Sequence, residues 1–438
     1  MSKTLFKGAA YLTVAGVICK LLGALYRAPL TAVLGAEGLG IYQLVFPFYC
    51  ILLTLSSTGI PTALSKLIAE GKDPERLFKK SLYYFGGAGL ALSLAVFFAA
   101  PYIAGLQGNA GATGAYKAIA PSVFFVSVLS CVRGYFQGRK NTLPTAVTQI
   151  TEQVVKLLFG LTLCTLFGNT PTQKAVLATL SVTLSEVAAV FIAMAFYGKK
   201  NKTLSGDTAG MKKILQVVFP ITLSAIMIPL SKTVDGFLVV NLLNAERVQA
   251  TALYGLYSGA AESIVSMPVA LCYSFAVVSV PEISSDKSDV GKRFDAVYYT
   301  LALGVIAGVM TYLFAGVAVR VLYGGLSETN AAVLVALIKT ASAQVVGLSL
   351  LQTLGATLVA LDKYYIPPLI LSVGIGAKIL ASFALIPSPL GILSCALIDS
   401  IVYLSVAVAE FVVLMILSLK RNRVKTVGNF ALKNNGNQ

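Results

Sequence analysis

The chain has 438 residues, 57% of them hydrophobic and 12% charged, with a mean hydropathy of +0.81. Soluble domains carry about 25% charged residues, so most of this chain cannot face water. Its 34 Lys and Arg against 18 Asp and Glu leave a formal charge of +16, and the absence of His excludes the usual zinc, haem and His-based acid–base centres.

Apolar segments recur at the ~20-residue length that crosses a bilayer. In chain order they fall at about 8–33, 39–65, 81–106, 115–137, 143–168, 175–198, 214–240, 249–279, 294–320, 329–360, 365–386 and 390–419. In lipid a lone segment satisfies its backbone only as a helix. The pattern therefore predicts an all-α membrane protein of about twelve transmembrane helices. The first segment is too long for a signal-peptide core and holds Lys20 and Arg27, so it reads as a retained span. The Gly-rich stretch 105–114 lacks a phosphate-loop lysine and reads as an outer turn.

The loops are short and leave no room for a separate soluble domain. Alternate loops on the N-terminal side hold 23 bases and the opposite loops 4. This positive-inside bias predicts both termini in the cytoplasm and a multi-pass protein of the plasma membrane. It also accounts for most of the net charge without nucleic acid. The six cysteines, at 19, 50, 131, 164, 272 and 395, lie in apolar stretches without a CxxC pair and read as free thiols. No metal or organic cofactor is expected.

The halves resemble each other. Pro61 and Pro281 each end a span before a charged loop and a Tyr-Tyr pair, at 83–84 and 298–299. GRKNTLP at 138–144 and LDKYYIP at 361–367 both place Lys four residues before Pro. The repeat predicts an N-terminal lobe at 1–200, a cytoplasmic linker at 201–213, a C-terminal lobe at 214–420 and a tail at 421–438. Six spans per half insert the same way up, which predicts pseudo-symmetric lobes around a central cavity.

Seven bases and six acids fall inside spans, where a charge costs about 2.5–3.5 kcal/mol and usually faces a wet cavity or a partner. Lys20 and Arg27 are two helical turns apart on one face, an arrangement suited to an anion such as a phosphate. Glu152 and Lys156 are i,i+4 neighbours, and Lys232 and Asp235 are i,i+3 neighbours, each able to pair. These four are candidates to line or gate the cavity. Glu262 has no partner in its own helix, follows Gly259, Ala260 and Ala261, and is the candidate for ion coupling. Arg133, Lys339 and Glu410 lie near span ends and are expected to snorkel. Pro29, Pro47, Pro220, Pro229 and Pro268 interrupt spans and permit bends.

RGYFQGRKNTLPTAVTQITEQVVK at 133–156 resembles the fourth-to-fifth span junction of the stage V sporulation protein B group, within the multidrug/oligosaccharidyl-lipid/polysaccharide exporter superfamily. CKLLGALYRAPLTAVLGAEGLGIYQ at 19–43 is similar to the same group. The resemblance implies a MATE-like flippase of lipid-linked sugars, lipid II among them, that works without an enzymatic step. Lys20 and Arg27 match the first-helix bases that meet the pyrophosphate in lipid II flippases. Some relatives use a base on the eighth helix, where this chain has Glu262. Coupling to sodium, protons or the membrane potential is then expected, in a monomer that meets membrane lipids and an anionic lipid-linked sugar. Two other readings stand beside this one: a cation-coupled multidrug exporter of the same fold, and a membrane glycosyltransferase or polymerase.

Overall fold

The computed structural model describes residues 3–57, 59–197, 211–272, 290–361, 363 and 365–435, with side chains described for most of them. Lys20 is described in backbone only. The expected linker lies outside the described residues up to 210, and its last three residues open a helix.

The described residues contain no strand. Helix α1 runs Lys3–Ser57, followed by α2 (Gly59–Ala69), α3 (Pro74–Ser81), α4 (Gly87–Leu106), α5 (Thr113–Gly138), α6 (Leu143–Phe167) and α7 (Pro171–Tyr197). Then come α8 (Met211–Leu242), α9 (Arg247–Tyr254), α10 (262–272), α11 (Val290–Leu322), α12 (Glu328–Ala360), α13 (Ile366–Leu385) and α14 (Leu393–Asn435). Nine helical runs among the described residues are long and apolar enough to cross a membrane. The first of these, Val14–Ala69, covers most of the first expected span and all of the second. The expected span 249–279 runs into residues outside the description.

The chain folds as two compact units. Unit 1 holds 1–263, 318–334 and 386–392, and unit 2 holds 264–317, 335–385 and 393–438.

In unit 1 the one non-helical residue inside α1 is Gly35, at φ +66° and ψ −179°, a conformation that suits a residue without Cβ. Pro29 and Pro47 sit within the helical stretches on either side of it. The short surface helix α3 starts by capping. The Asp73 carboxylate accepts from the backbone N–H of Glu75 at 2.9 Å and of Arg76 at 3.2 Å, and Pro74 fills the first turn, where no N–H is needed. Glu75 then accepts from the Tyr135 hydroxyl of α5 at 2.5 Å and the Tyr197 hydroxyl of α7 at 2.7 Å, which fastens α3 to the bundle.

Lipid is as apolar as a Leu side chain, so packing between helices depends on close fit. At Gly40 of α1 an added Cβ would lie 2.0 Å from the Thr251 carbonyl oxygen of α9, so the two backbones touch there. Asn109 and Asn241 extend this seam. The Asn109 amide donates to the Thr251 hydroxyl at 2.9 Å, and the Asn241 amide donates to the Leu106 carbonyl at 3.1 Å. The expected outer turn is a tight break over 107–112, with Gly108 at φ +82°. Helix α5 is the most enclosed span of the unit, whereas α4 shows Phe98 and Tyr102 to the outside.

In unit 2, Val297, Leu354, Leu358, Ala407 and Leu414 join α11, α12 and α14 in one apolar cluster. Exposed Leu313, Leu380 and Val408 give this unit the outward apolar surface that a bilayer requires.

Candidate functional site

Helices α1, α2, α5 and α6 of unit 1 enclose a cavity of about 480 Å³. Its position follows from the lining. Gln137 is in the last turn of α5, Thr145 in the first turn of α6, and Pro61 and Thr62 in the first turn of α2. The cavity therefore lies towards the end of the bundle that carries the basic turn at 139–142.

The α6 side of the cavity is a polar stripe at helical spacing: Thr145, Gln149, Glu152 and Gln153. Helix α5 contributes Arg133 and Gln137, one turn apart, and α1 contributes Gly16 and Cys19. Glycines on both helices let α1 and α6 come close. A Cβ on Gly23 would meet the Gln153 Oε1 at 3.9 Å, and one on Gly160 would strike the Tyr26 hydroxyl.

Arg133 organises the polar wall. Its Nε and Nη2 each donate to the Thr148 hydroxyl at 3.0 Å, and Nη2 also donates to Glu152 Oε1 at 2.6 Å. The expected snorkelling of Arg133 is thus replaced by an ion pair across two helices. Glu152 is bound by Arg133, not by Lys156, the partner its i,i+4 spacing suggests. Lys156 sits instead with its ammonium 5.9 Å from the Tyr26 ring centre, a cation–π contact. Arg27, the next residue along α1, is exposed and donates from Nη1 to the Ser263 hydroxyl at 3.1 Å. Neither Arg27 nor Lys156 forms an ion pair among the described residues, although their charges act on each other.

Lys232 of α8 pairs with Glu262 at the start of α10, and its ammonium lies 5.6 Å from the Tyr257 ring centre. Glu262 has no partner in its own helix, as expected, but it finds one in another. Asp235 is buried on the same helix as Lys232.

Two further acids within the spans carry no site role in the sequence reading. Glu186 of α7 is buried and accepts from the Tyr49 hydroxyl at 3.0 Å through Oε1, while its Oε2 has no hydrogen-bond partner among the described residues. In unit 2, Glu410 is fully buried and neither carboxylate oxygen has a partner among the described residues, so the snorkelling expected for it does not occur. Lys339 does stay exposed, its ammonium 5.4 Å from the Tyr312 ring centre. Lys378 of α13 and Asp399 of α14 form a buried ion pair. The six cysteines are free thiols.

The protein family described as "Polysaccharide biosynthesis protein" matches residues 5–286. Stage V sporulation protein B of Bacillus subtilis (strain 168) is 28% identical over 350 residues, which is 74% of this chain and 67% of that protein. The lipid II flippase MurJ of the same organism is 23% identical over 320 residues, 65% of this chain and 58% of that protein. The chain thus spans a little over half the length of MurJ. Among solved structures, an inward-facing MATE family transporter of the MOP superfamily superposes with a TM-score of 0.77 at 14% identity, covering 92% of this chain and 96% of that one. Lipid II flippase MurJ in an inward closed conformation gives 0.75 at 16% identity, covering 96% and 92%. At these identities the likeness shows the fold, and it is the all-α, MATE-like membrane fold expected from the spans. MurJ is a flippase and the MATE protein a transporter, not enzymes, which sets the glycosyltransferase reading aside. The chain belongs to the polysaccharide biosynthesis protein family.

Proposed function

We propose that this protein is a flippase. It moves an anionic lipid-linked oligosaccharide, or a peptidoglycan precursor of the lipid II type, from the inner to the outer leaflet of the plasma membrane. One observation supports this most directly: Arg27 and Lys156 stand inside the membrane-spanning bundle without an ion-pair partner among the described residues. Two cations left in such a place favour an anion, and a pyrophosphate would satisfy both. Lys20, on the same face of α1 by its spacing, is the third base assigned to this group.

The mechanism is alternating access of two six-helix lobes, in a monomer with both termini in the cytoplasm. Glu152 with Lys156, and Lys232 with Asp235, line or gate the path. Glu262 is the coupling residue for sodium, protons or the membrane potential. Since Lys232 holds it in this conformation, a cation entering there must displace the ammonium.

Leaflet-resolved transport of lipid-linked sugars in proteoliposomes tests the activity. Lys20→Ala with Arg27→Ala is expected to abolish it, and to abolish rescue of cells depleted of their lipid II flippase. Full rescue by the double variant sinks the pyrophosphate assignment. The buried Glu186, with one unpartnered oxygen, favours a second reading as a cation-coupled drug exporter. Raised drug tolerance on expression, with no lipid transport, would support that reading instead.

A further inference from the structure

From the lining of the unit 1 cavity we infer that it is a subsite for the neutral sugar of the lipid-linked substrate, separate from the cations that take the phosphates. This rests on the flippase reading and adds to it the place and chemistry of headgroup recognition.

The first argument is charge. Among the described side chains, the only ionised ones lining the cavity are Arg133 and Glu152, and they neutralise each other at 2.6 Å. Those side chains therefore offer neither an unpaired base to hold a phosphate nor an unpaired acid to hold an organic cation.

The second argument is hydrogen-bonding capacity. Gln149 and Gln153 line the cavity, and neither side-chain amide has a hydrogen-bond partner among the described residues. Gln137 donates to the Thr145 hydroxyl at 3.2 Å, which leaves its carbonyl oxygen to accept. Each free amide offers two donors and an acceptor on adjacent atoms. Sugar hydroxyls both donate and accept, and neighbouring hydroxyls present both functions side by side. A lipid tail offers nothing to such a wall and would strand its amides.

The third argument is size and register. The volume falls within the ~300–1,000 Å³ of small-molecule sites, far more than an ion needs. Along α6 the stripe runs from Thr145 through Gln149 and Gln153 to Lys156, a rise of roughly 16 Å. The amide cavity occupies its first part, and the unpaired Lys156 stands at its far end, beside Tyr26 and next to Arg27. A sugar–pyrophosphate headgroup has the same order: a neutral hydroxyl-rich end, then phosphates, then the lipid.

Cys19 lines the cavity and supplies the probe. In full-length protein with the other five cysteines replaced, the rate of maleimide labelling at Cys19 reports occupancy. Polyprenyl-pyrophosphoryl N-acetylglucosamine is expected to slow labelling at least fivefold, and polyprenyl pyrophosphate without sugar to leave it unchanged. Retention of both radiolabelled lipids on the protein is measured in parallel. Gln149→Leu with Gln153→Leu should remove the protection while the sugar-free lipid is still retained. Gln149→Glu with Gln153→Glu gives the same readout in near-isosteric form should the first pair fold poorly. Equal protection by the sugar-free lipid, or retention of the sugar lipid without protection of Cys19, overturns the subsite and leaves the flippase reading standing. Failure to retain either lipid overturns both.

Discussion

In unit 1, Arg133 on α5 meets Glu152 on α6; in unit 2, Lys378 on α13 meets Asp399 on α14. Both pairs join consecutive spans across a helical hairpin. Their surroundings differ. The Arg133 and Glu152 side chains keep 12% and 15% of their surface open, and both line the cavity. Those of Lys378 and Asp399 keep 4% and 1%. A pair that water can reach has little desolvation to recover and stays free to interact with a ligand. A dry pair recovers its desolvation only from its partner, so it is held in one arrangement. Intramembrane charge is therefore not by itself a mark of the transport site. What separates the two cases is an adjoining polar space.

The dry pair gives the largest expected effect. Lys378→Met leaves Asp399 buried without its counter-charge and should cost about 3–5 kcal/mol of stability, read as a large fall in melting temperature in detergent. Lys378→Met with Asp399→Leu should recover most of that loss. A single variant that melts like the parent would mean that water reaches Asp399, and the contrast between the units would disappear.

Glu410 sharpens the same contrast from the other side. It is buried in unit 2 with no partner for either oxygen among the described residues, and a Cβ on Gly355 would sit 4.0 Å from its Oε2. A buried polar group without hydrogen bonds costs about 1–3 kcal/mol. Glu410→Leu should therefore raise stability by about 1 kcal/mol or more. A destabilised Glu410→Leu protein would show that the carboxyl is held by a contact formed in another conformation of the transporter.

Much of this was legible before the structure. Hydropathy marked the apolar helices, because length and apolar content follow from local composition. The pairings were misread because local spacing was the wrong guide. Glu152 and Lys156 are adjacent on one helix, yet Glu152 is taken by a residue on the preceding span. A better rule was present in the numbering. In an antiparallel hairpin, residues equidistant from the turn lie at the same depth. Thr142 and Leu143, at the end of the α5–α6 turn, are midway between Arg133 and Glu152, Ser388 and Pro389 midway between Lys378 and Asp399, and Arg247, just past the α8–α9 turn, midway between Lys232 and Glu262. These three interhelical ion pairs obey this symmetry. Glu186 and Glu410 have no such mate, and nothing in the sequence marked their burial. The cavity itself arises where four helices fail to fill a space, which no single-helix pattern records.

The smallest stability effect belongs to the wet pair, and there the functional effect should dominate. In Arg133→Gln, cavity water can solvate Glu152, so the cost should stay within about 1 kcal/mol, near the range of exposed pairs. The cavity, however, changes from neutral to negative beside the phosphates of the proposed substrate. Transport in proteoliposomes should fall at least tenfold, about 1.4 kcal/mol in the barrier. Glu152→Gln reverses the sign. It should retain the anionic lipid more tightly and slow its release, lowering turnover at saturating substrate. Arg133→Gln with Glu152→Gln restores neutrality and leaves five glutamines along the cavity, so transport should partly recover. If the double variant stays as inactive as Arg133→Gln alone, Arg133 acts by touching the substrate and not by balancing Glu152.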